Sequence, residues 1–262
     1  KLRFPSVGAT ENLMMCAALI PGVTTLENCA REPEIADLAG ALVKMGAGVE
    51  GAGTAIIKIK GAASLKGLKY TVMPDRVETG TFMLLCAAAG GRVRLLNTAP
   101  RTLEALIKAM KKAGVTVNSF RDSLEIVAPH GRPRAVSVAT RPHPGFPTDL
   151  QAPWMAFMAR ASGTAEVHEE IFENRFMHAP ELARMGADIT VMDRKAVIRG
   201  VPALLGAPVM ASDIRAGAAM VVAAASAKGR TVIRRVYHID RGYEKLEHKL
   251  KDLGLDVSRV KV

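Results

Sequence analysis

Several residue classes are scarce in this sequence, and their scarcity excludes several kinds of protein. Aromatic residues make up only 4% of the 262 residues, and there are three cysteines. An odd number of cysteines without a CxxC pair indicates neither a disulfide framework nor a thiolate zinc site, and is typical of a reduced, cytoplasmic protein. The six histidines show no ligand spacing, so we predict no metal site.

The sequence also lacks an apolar run long enough to span a membrane. The longest run, residues 216–227, is shorter than the roughly 18 residues that a spanning helix needs, and it predicts a buried helix. We expect no signal peptide, and because the first residue is Lys1 rather than Met, we expect the start to be cut. We therefore predict no membrane insertion and a cytoplasmic location.

The net charge of +11 favours an anionic partner, and its distribution indicates a small one. Nucleic-acid binding usually needs clustered cations beside exposed aromatic residues. Here the cations are dispersed among acidic neighbours, and aromatic residues are rare. We therefore predict a small anionic ligand and no nucleic-acid partner.

Four segments repeat one pattern with a period of about 70 residues. An Ala-rich helix, a glycine and an alternating strand are followed by a second helix, a second glycine and a second strand, which predicts a β-α-β-α-β-β unit. The repeated glycines are Gly22, Gly91, Gly163 and Gly229 in the first position and Gly46, Gly114, Gly186 and Gly254 in the second. A glycine fits each site because a helix often ends in a residue with positive φ.

A third landmark opens the first helix of every repeat. The residues are Ser6, Asp75, Asp149 and Asp213. Serine and aspartate are preferred helix N-caps, so all four can be structural caps. Alternatively, if the helix N-termini converge, their free N–H groups and positive dipole ends form an anion-binding cleft.

With these landmarks in place, the chain resembles the family of UDP-N-acetylglucosamine enolpyruvyl transferases. The motifs that carry the resemblance are SVGATEN (6–12), AREPEIADL (30–38), PDRVETGTF (74–82), HPGFPTDLQA (143–152), IFENRFMH (171–178) and YHIDRGYE (237–244). They are spread over nearly the whole chain. The resemblance implies transfer of the enolpyruvyl group of phosphoenolpyruvate to the 3-hydroxyl of UDP-N-acetylglucosamine, the first committed step of peptidoglycan synthesis.

The resemblance also implies an α/β fold of the enolpyruvyl transferase type. This is an inside-out α/β barrel with two domains, each containing three repeats about a pseudo-threefold axis. Four repeats are present here, so residues 1–73 are interpreted as the last repeat of an incomplete first domain and 74–262 as the second domain. About two N-terminal repeats are then missing, and we expect them to be required for activity.

Matching motifs carry the family's site residues to this sequence. As catalytic groups the resemblance implies Asp149, as base for the sugar hydroxyl, and Asp213, as acid beside the reacting carbon. It implies a UDP-N-acetylglucosamine site containing Ser6, Val7, Gly8, Asp149, Ile171 and Phe172. It implies a phosphoenolpyruvate site formed by Arg175, Arg215 and Arg241. No metal, nicotinamide or flavin cofactor is expected.

Three points stay open at the level of sequence. The family's N-terminal lysine and its loop cysteine and arginine have no match here. The cysteines that are present, Cys16, Cys29 and Cys86, lie in apolar segments and are predicted to be core residues. A non-catalytic fragment or paralogue that binds the UDP-sugar is therefore an alternative. A shikimate-branch enolpyruvyl transferase, with the same fold and the same phosphoenolpyruvate substrate, is another.

Overall fold

The computed structural model describes residues 1–260 and divides them into two compact units. The first unit comprises residues 1–74 with 142–145, and the second comprises residues 75–141 and 146–260. Whether the first unit belongs to a separate, incomplete domain stays a prediction. None of the helices in this described part of the chain is long and apolar enough to cross a membrane.

The first unit contains one repeat. Its elements are α1 (Val7–Ala17), β1 (Val23–Glu27), α2 (Pro33–Met45), β2 (Gly48–Glu50) and β3 (Ile56–Lys60). The three strands form an antiparallel sheet in the order β1-β3-β2, with Leu26 opposite Ile57. Side chains that point inward from this sheet, such as Ile57 and Ile59, are fully buried.

The second repeat opens the second unit. Its elements are α3 (Arg76–Ala89), β4 (Arg92–Leu96), α4 (Glu104–Lys112), β5 (Thr116–Ser119) and β6 (Ser123–Val127). A 3-10 turn, Pro100–Leu103, precedes α4. The strands again form an antiparallel sheet, in the order β4-β6-β5.

The third repeat shows the predicted β-α-β-α-β-β order in full. Its elements are β7 (Val138–Thr140), α5 (Gln151–Met158), β8 (Thr164–Glu169), α6 (Ala179–Arg184), β9 (Asp188–Met192) and β10 (Lys195–Arg199). A 3-10 turn, Thr148–Leu150, leads into α5. The sheet order is β7-β8-β10-β9, in which β7 and β8 are parallel and the other pairs are antiparallel.

The fourth repeat departs from the predicted pattern after its second glycine. Its elements are β11 (Pro208–Met210), α7 (Ile214–Ala224), β12 (Val232–Arg234), α8 (Tyr237–Asp240) and α9 (Leu246–Asp252). Strands β11 and β12 form a parallel pair. A strand is predicted after Gly254, but none forms within residues 255–260. The equivalent strands β5 and β9 pair with the antiparallel strands β6 and β10, and the described chain offers no such partner here.

The glycine repeat has the structural cause that the sequence predicts. All eight repeated glycines have positive φ, from 85° at Gly229 to 116° at Gly46. Gly46, for example, ends α2 in the left-handed region while its N–H binds the carbonyls of Leu42 and Val43. A side chain with a Cβ is strained in that conformation, so the spacing of these glycines marks where helices end.

The core of the second unit is built from the first helix of each of its repeats. Helix α5 is buried over its whole length, and α3 and α7 are buried over most of theirs. At their C-terminal ends, Nη1 of Arg160 reaches the carbonyls of Ala88 and Ser226, each at 3.5 Å. The three helices therefore run side by side with their N-termini at the opposite end.

Helix α1, the equivalent helix of the first unit, is apolar on a face that remains open. Met14 is fully buried, but Leu13 and Met15 are 42% and 45% exposed. Leu19 and Ile20, just after the helix, are also exposed. Cys16 lies on this open face, so its predicted place in the core is wrong, whereas Cys29 and Cys86 are buried as predicted.

Close packing at a helical glycine leads to a stability prediction. A Cβ added at Gly217 in α7 would lie 2.3 Å from Cγ1 of the buried Ile239. We expect Gly217→Ala to lower the free energy of unfolding by about 1–3 kcal/mol, because overpacking outweighs the better helix propensity of alanine. Urea unfolding measures the change.

The matched control is Gly8→Ala in α1, where no atom lies within 4 Å of the added Cβ. There we expect no loss, or a gain of up to about 1 kcal/mol. Equal tolerance of the two alanines would contradict the close packing of α7 against α8.

Candidate active site

A cavity of about 260 Å³ lies where the three helix N-termini of the second unit meet. Its lining consists of Asp75, Val77, Glu78, Asp149, Ile214, Arg215, Gly242 and Tyr243. Asp75 caps α3 by accepting hydrogen bonds from the N–H groups of Val77 and Glu78, at 2.7 and 3.0 Å. The convergence of helix N-termini that the sequence left open as an alternative is therefore present for three of the four repeats.

Asp149 behaves differently from the other landmark residues because its side chain caps no helix. It lies in the 3-10 turn before α5, where no side-chain cap bond is made. Instead its Oδ1 is 3.4 Å from Nη1 of Arg175 and 3.7 Å from Nη1 of Arg215. A half-exposed carboxylate is thus held between two guanidinium groups at the edge of the cavity.

Asp213 caps a helix, as the sequence allows, and also contacts an arginine of the cluster. Its Oδ1 accepts the N–H groups of Arg215 and Ala216, at 2.8 and 3.1 Å, and so caps α7. The same oxygen is 3.4 Å from Nε of Arg215. Burial works to raise the pKa of Asp213, but these backbone N–H donors and the Arg215 charge together lower it. The carboxylate form is therefore favoured.

Arg175 is the most deeply placed cation of the cluster. Its side chain is 14% exposed, and its guanidinium lies over the Phe172 ring, 4.0 Å from the ring centre. Burial and the neighbouring Arg215 charge lower the pKa of Arg175, whereas Asp149 and Glu169 oppose that shift. Two adjacent guanidinium groups are tolerable here because carboxylates surround them.

Other predicted site residues are not drawn into this cluster by a side-chain contact. Arg241 is exposed, and its side chain makes no hydrogen bond or ion pair within residues 1–260, but it directly precedes Gly242 in the cavity wall. Ser6, Val7 and Gly8 lie in the first unit, at the N-terminus of α1, where Ser6 accepts a hydrogen bond from Ala9 N at 3.3 Å.

Ile171 and Phe172 lie on the loop that follows β8. Their backbone N–H groups both bind Oε1 of Glu169, at 3.0 and 3.1 Å. Phe172 as a whole residue is 40% exposed. This loop thus carries both a predicted sugar-pocket residue and a predicted phosphoenolpyruvate residue.

Sequence reasoning missed two buried polar residues, Tyr243 in the cavity wall and His178. Tyr243 shares a 2.8 Å hydrogen bond with the Thr81 hydroxyl, and burial raises the pKa of Tyr243. His178 is fully enclosed, with Nε2 3.2 Å from the Met155 sulfur. Both lie within motifs quoted for the resemblance, but only burial distinguishes them from surface residues. The described residues contain no group of three or more metal-ligating side chains.

Comparison with known proteins gives the chain a family. Residues 1–250 match the family model described as EPSP synthase (3-phosphoshikimate 1-carboxyvinyltransferase). The chain belongs to the EPSP synthase family. Its predicted fold class is thereby confirmed.

Curated relatives within the EPSP synthase family are similar over almost the whole chain. A UDP-N-acetylglucosamine 1-carboxyvinyltransferase from Hyphomonas neptunium is 56% identical over 97% of this chain and 60% of its own length. One of the same name from Magnetococcus marinus is 52% identical over 97% of this chain and 61% of its own length. The chain thus spans about three fifths of the curated relatives that it matches.

Two solved structures share the fold. The enolpyruvyl transferase NikO from Streptomyces tendae superimposes with a TM-score of 0.83 at 27% identity, covering 95% of this chain and 59% of the other. An EPSP synthase from Acinetobacter baumannii gives a TM-score of 0.74 at 19% identity, covering 98% of this chain and 63% of the other. The latter likeness concerns the fold alone.

The buried His178 predicts a pH-dependent stability of this family member. Burial lowers the pKa of His178 to about 4, while the Asp213 charge works against this shift and the Arg215 charge adds to it. The unfolded chain binds a proton on this imidazole near pH 6.5, so stability falls as the pH drops from about 6.5 to about 4. We expect this residue to contribute a loss of about 3 kcal/mol.

Urea unfolding of wild type and His178→Gln at a series of pH values tests this. The variant should lose much of the acid sensitivity, whereas His130→Gln, at an exposed position, should keep it. Identical pH profiles for wild type and His178→Gln would contradict the expectation.

Proposed function

We propose that this chain is part of a UDP-N-acetylglucosamine 1-carboxyvinyltransferase. The reaction moves the enolpyruvyl group of phosphoenolpyruvate to the 3-hydroxyl of UDP-N-acetylglucosamine and releases phosphate. The observation that carries the proposal is the Asp149 carboxylate, held by Arg175 and Arg215 at the convergence of three helix N-termini. The names of the relatives at 50–56% identity support the choice of the nucleotide sugar.

Asp149 is suited to act as the base for the sugar hydroxyl. An ionised carboxylate only accepts hydrogen bonds, so it can orient an O–H group and take its proton as the oxygen attacks C2 of phosphoenolpyruvate. The side chain is 43% exposed, which leaves an oxygen accessible to substrate. The two guanidinium groups hold it in place without enclosing it.

Asp213 is suited to the proton transfers at C3. During the addition step, the methylene C3 gains a proton as the new C–O bond forms at C2. During the elimination step, C3 loses a proton as the bond from C2 to phosphate breaks. The lowered pKa of Asp213 favours the proton-accepting form. Proton delivery by the same group needs the charge of bound phosphoenolpyruvate to raise that pKa, as a nearby anion does.

Arg175, Arg215 and Arg241 form the proposed phosphoenolpyruvate site. Each guanidinium has five N–H donors that match carboxylate and phosphate oxygens, and the contacts of Arg175 and Arg215 with Asp149 use one nitrogen of each. Most of their donors stay available to an anion. Arg241, which is exposed beside the cavity wall and has no ion pair within residues 1–260, is a cation that a bound substrate would recruit.

Two segments, one in each unit, contain the proposed UDP-N-acetylglucosamine-binding residues. The turn at Ser6, Val7 and Gly8 begins α1, where backbone N–H groups are free to bind a diphosphate, and Gly8 allows close approach. The loop at Ile171 and Phe172 offers apolar surface to the sugar. No further cofactor is part of the proposal.

We further propose that two repeats precede this chain in the full-length protein. The open apolar face of α1, which contains Leu13, Met15 and Cys16, corresponds to surface that α3, α5 and α7 bury against one another. Apolar faces of this kind are usually covered. With those repeats the protein would carry out peptidoglycan synthesis in the cytoplasm and so support cell shape and division.

Asp149→Asn in the full-length protein tests the base. The amide is nearly isosteric but cannot take a proton, so we expect turnover to fall about 10²–10⁴-fold with substrate affinity largely kept. The matched control is Asp188→Asn, whose side chain pairs with Arg199 on the exposed β9–β10 surface. Near-normal turnover of Asp149→Asn would reduce Asp149 to a structural residue.

Turnover of the unmodified full-length protein separates the proposed function from the shikimate-branch and non-catalytic alternatives. Turnover with UDP-N-acetylglucosamine and none with shikimate 3-phosphate supports the proposal, and the reverse assigns the protein to the shikimate branch. Binding of the UDP-sugar without any turnover by the full-length protein would make it a non-catalytic binder.

Inorganic phosphate should raise the melting temperature of the full-length protein, because the arginine site that binds it exists only in the folded state. This rise in melting temperature should shrink as the sodium chloride concentration increases, since salt screens partly exposed charges. Arg241→Lys should weaken it, because an ammonium group cannot reproduce a two-pronged contact. A stabilisation that is unchanged in both Arg215→Gln and Arg241→Lys would contradict the proposed anion site.

A further inference from the structure

We propose that Glu169 is a positioning residue that fixes Asp149 relative to the loop carrying Phe172 and Arg175. Its meaning for catalysis rests on the proposed function, because that function says what the loop and Asp149 bind. The contacts themselves do not depend on the identity of the substrates.

Glu169 is a buried carboxylate with three donors. The residue is 1% exposed at the end of β8. Oε1 accepts the backbone N–H groups of Ile171 and Phe172, at 3.0 and 3.1 Å, and Oε2 accepts the Thr148 hydroxyl at 2.9 Å. Both oxygens therefore act as acceptors, and within residues 1–260 the carboxylate makes hydrogen bonds but no direct ion pair.

Comparison of the four repeats shows that the residue at the position of Glu169 is unusual. Six residues after the first glycine, the other repeats place Asn28, Asn97 and Arg235, all with positive φ of 54–57°. The third repeat has Glu169 there, within a strand and without positive φ. The structural turn residue of the other repeats is thus replaced by a carboxylate that organises the following loop with its side chain.

The three hydrogen bonds join two segments that are separate in sequence. Thr148 directly precedes Asp149 in the 3-10 turn, and Phe172 packs its ring on the Arg175 guanidinium. The Glu169 charge also acts on Arg175, where it opposes the effect of burial. Glu169 therefore sets both the distance between Asp149 and the loop and part of the electrostatic balance of Arg175.

Substitutions separate these contributions. Glu169→Gln keeps one oxygen for the two backbone N–H groups and places an amide opposite Thr148, so the hydrogen bonds survive but the charge is lost. Glu169→Ala removes all three bonds. Thr148→Val removes only the link to the Asp149 turn, and Thr148→Ser restores it.

The experiment measures turnover and, separately, inorganic phosphate affinity in the full-length protein. For Glu169→Ala we expect turnover to fall by about 10²-fold, as misplacement of reacting groups by about 1 Å produces. Its phosphate affinity should fall about tenfold. Glu169→Gln should lose about tenfold in each, because neutral hydrogen bonds are weaker than charge-assisted ones.

Thr148→Val provides the readout that general destabilisation would not produce. It should lower turnover about tenfold and leave phosphate affinity within about twofold of wild type, while Thr148→Ser should recover most of the turnover. The matched control is Glu170→Gln, at the next residue, whose exposed side chain pairs with Arg141 at 3.1 Å. It should resemble wild type in both measurements.

The outcomes distinguish this inference from the proposed function. If Glu169→Ala lowers only the melting temperature and leaves turnover and phosphate affinity unchanged, the positioning role is overturned. If wild type transfers no enolpyruvyl group, the proposed function fails, and loss of phosphate affinity in Glu169→Ala still supports the positioning role.

Discussion

The close packing of α3, α5 and α7 is the constraint on which the rest of the second unit depends. Each helix is apolar over most of its surface, so each is stable only when its neighbours cover it. Close approach of α3 to the start of α5 requires a small residue at Gly80, where an added Cβ would lie 2.4 Å from Cδ1 of Leu150. Packing side by side brings three helix N-termini to one cavity, and with them the ends that favour negative charge.

The charges at this cavity follow from that arrangement. Arg175 and Arg215 are near enough to repel, and burial makes their repulsion costly. Three carboxylates offset this repulsion. Asp149 lies between the two guanidinium groups, Asp213 caps α7 beside Arg215, and Glu169 is held by backbone N–H donors. A site balanced in this way keeps unused N–H donors for an anionic ligand.

Much of the fold and part of the site could be predicted from the sequence. The glycine spacing located the helix ends, because the requirement for positive φ is local. Prediction failed where the outcome depends on neighbours: residues 255–260 lack the predicted strand because no partner strand is paired there, and Cys16 is exposed because nothing in the described chain covers that face of α1. Likewise, sequence could not show that Asp149 makes ion pairs whereas Asp213 caps a helix.

The sequence by itself determined the four repeats and the residue types available for acid-base and anion chemistry, since these follow from local conformation and composition, whereas the fold class was implied by the resemblance to a known family. Only the tertiary structure decided which of those residues meet. Asp149, Glu169, Arg175 and Arg215 come together because helix packing and strand register place distant segments side by side. Burial then gives ordinary side chains, Glu169 above all, their particular partners and electrostatic effect.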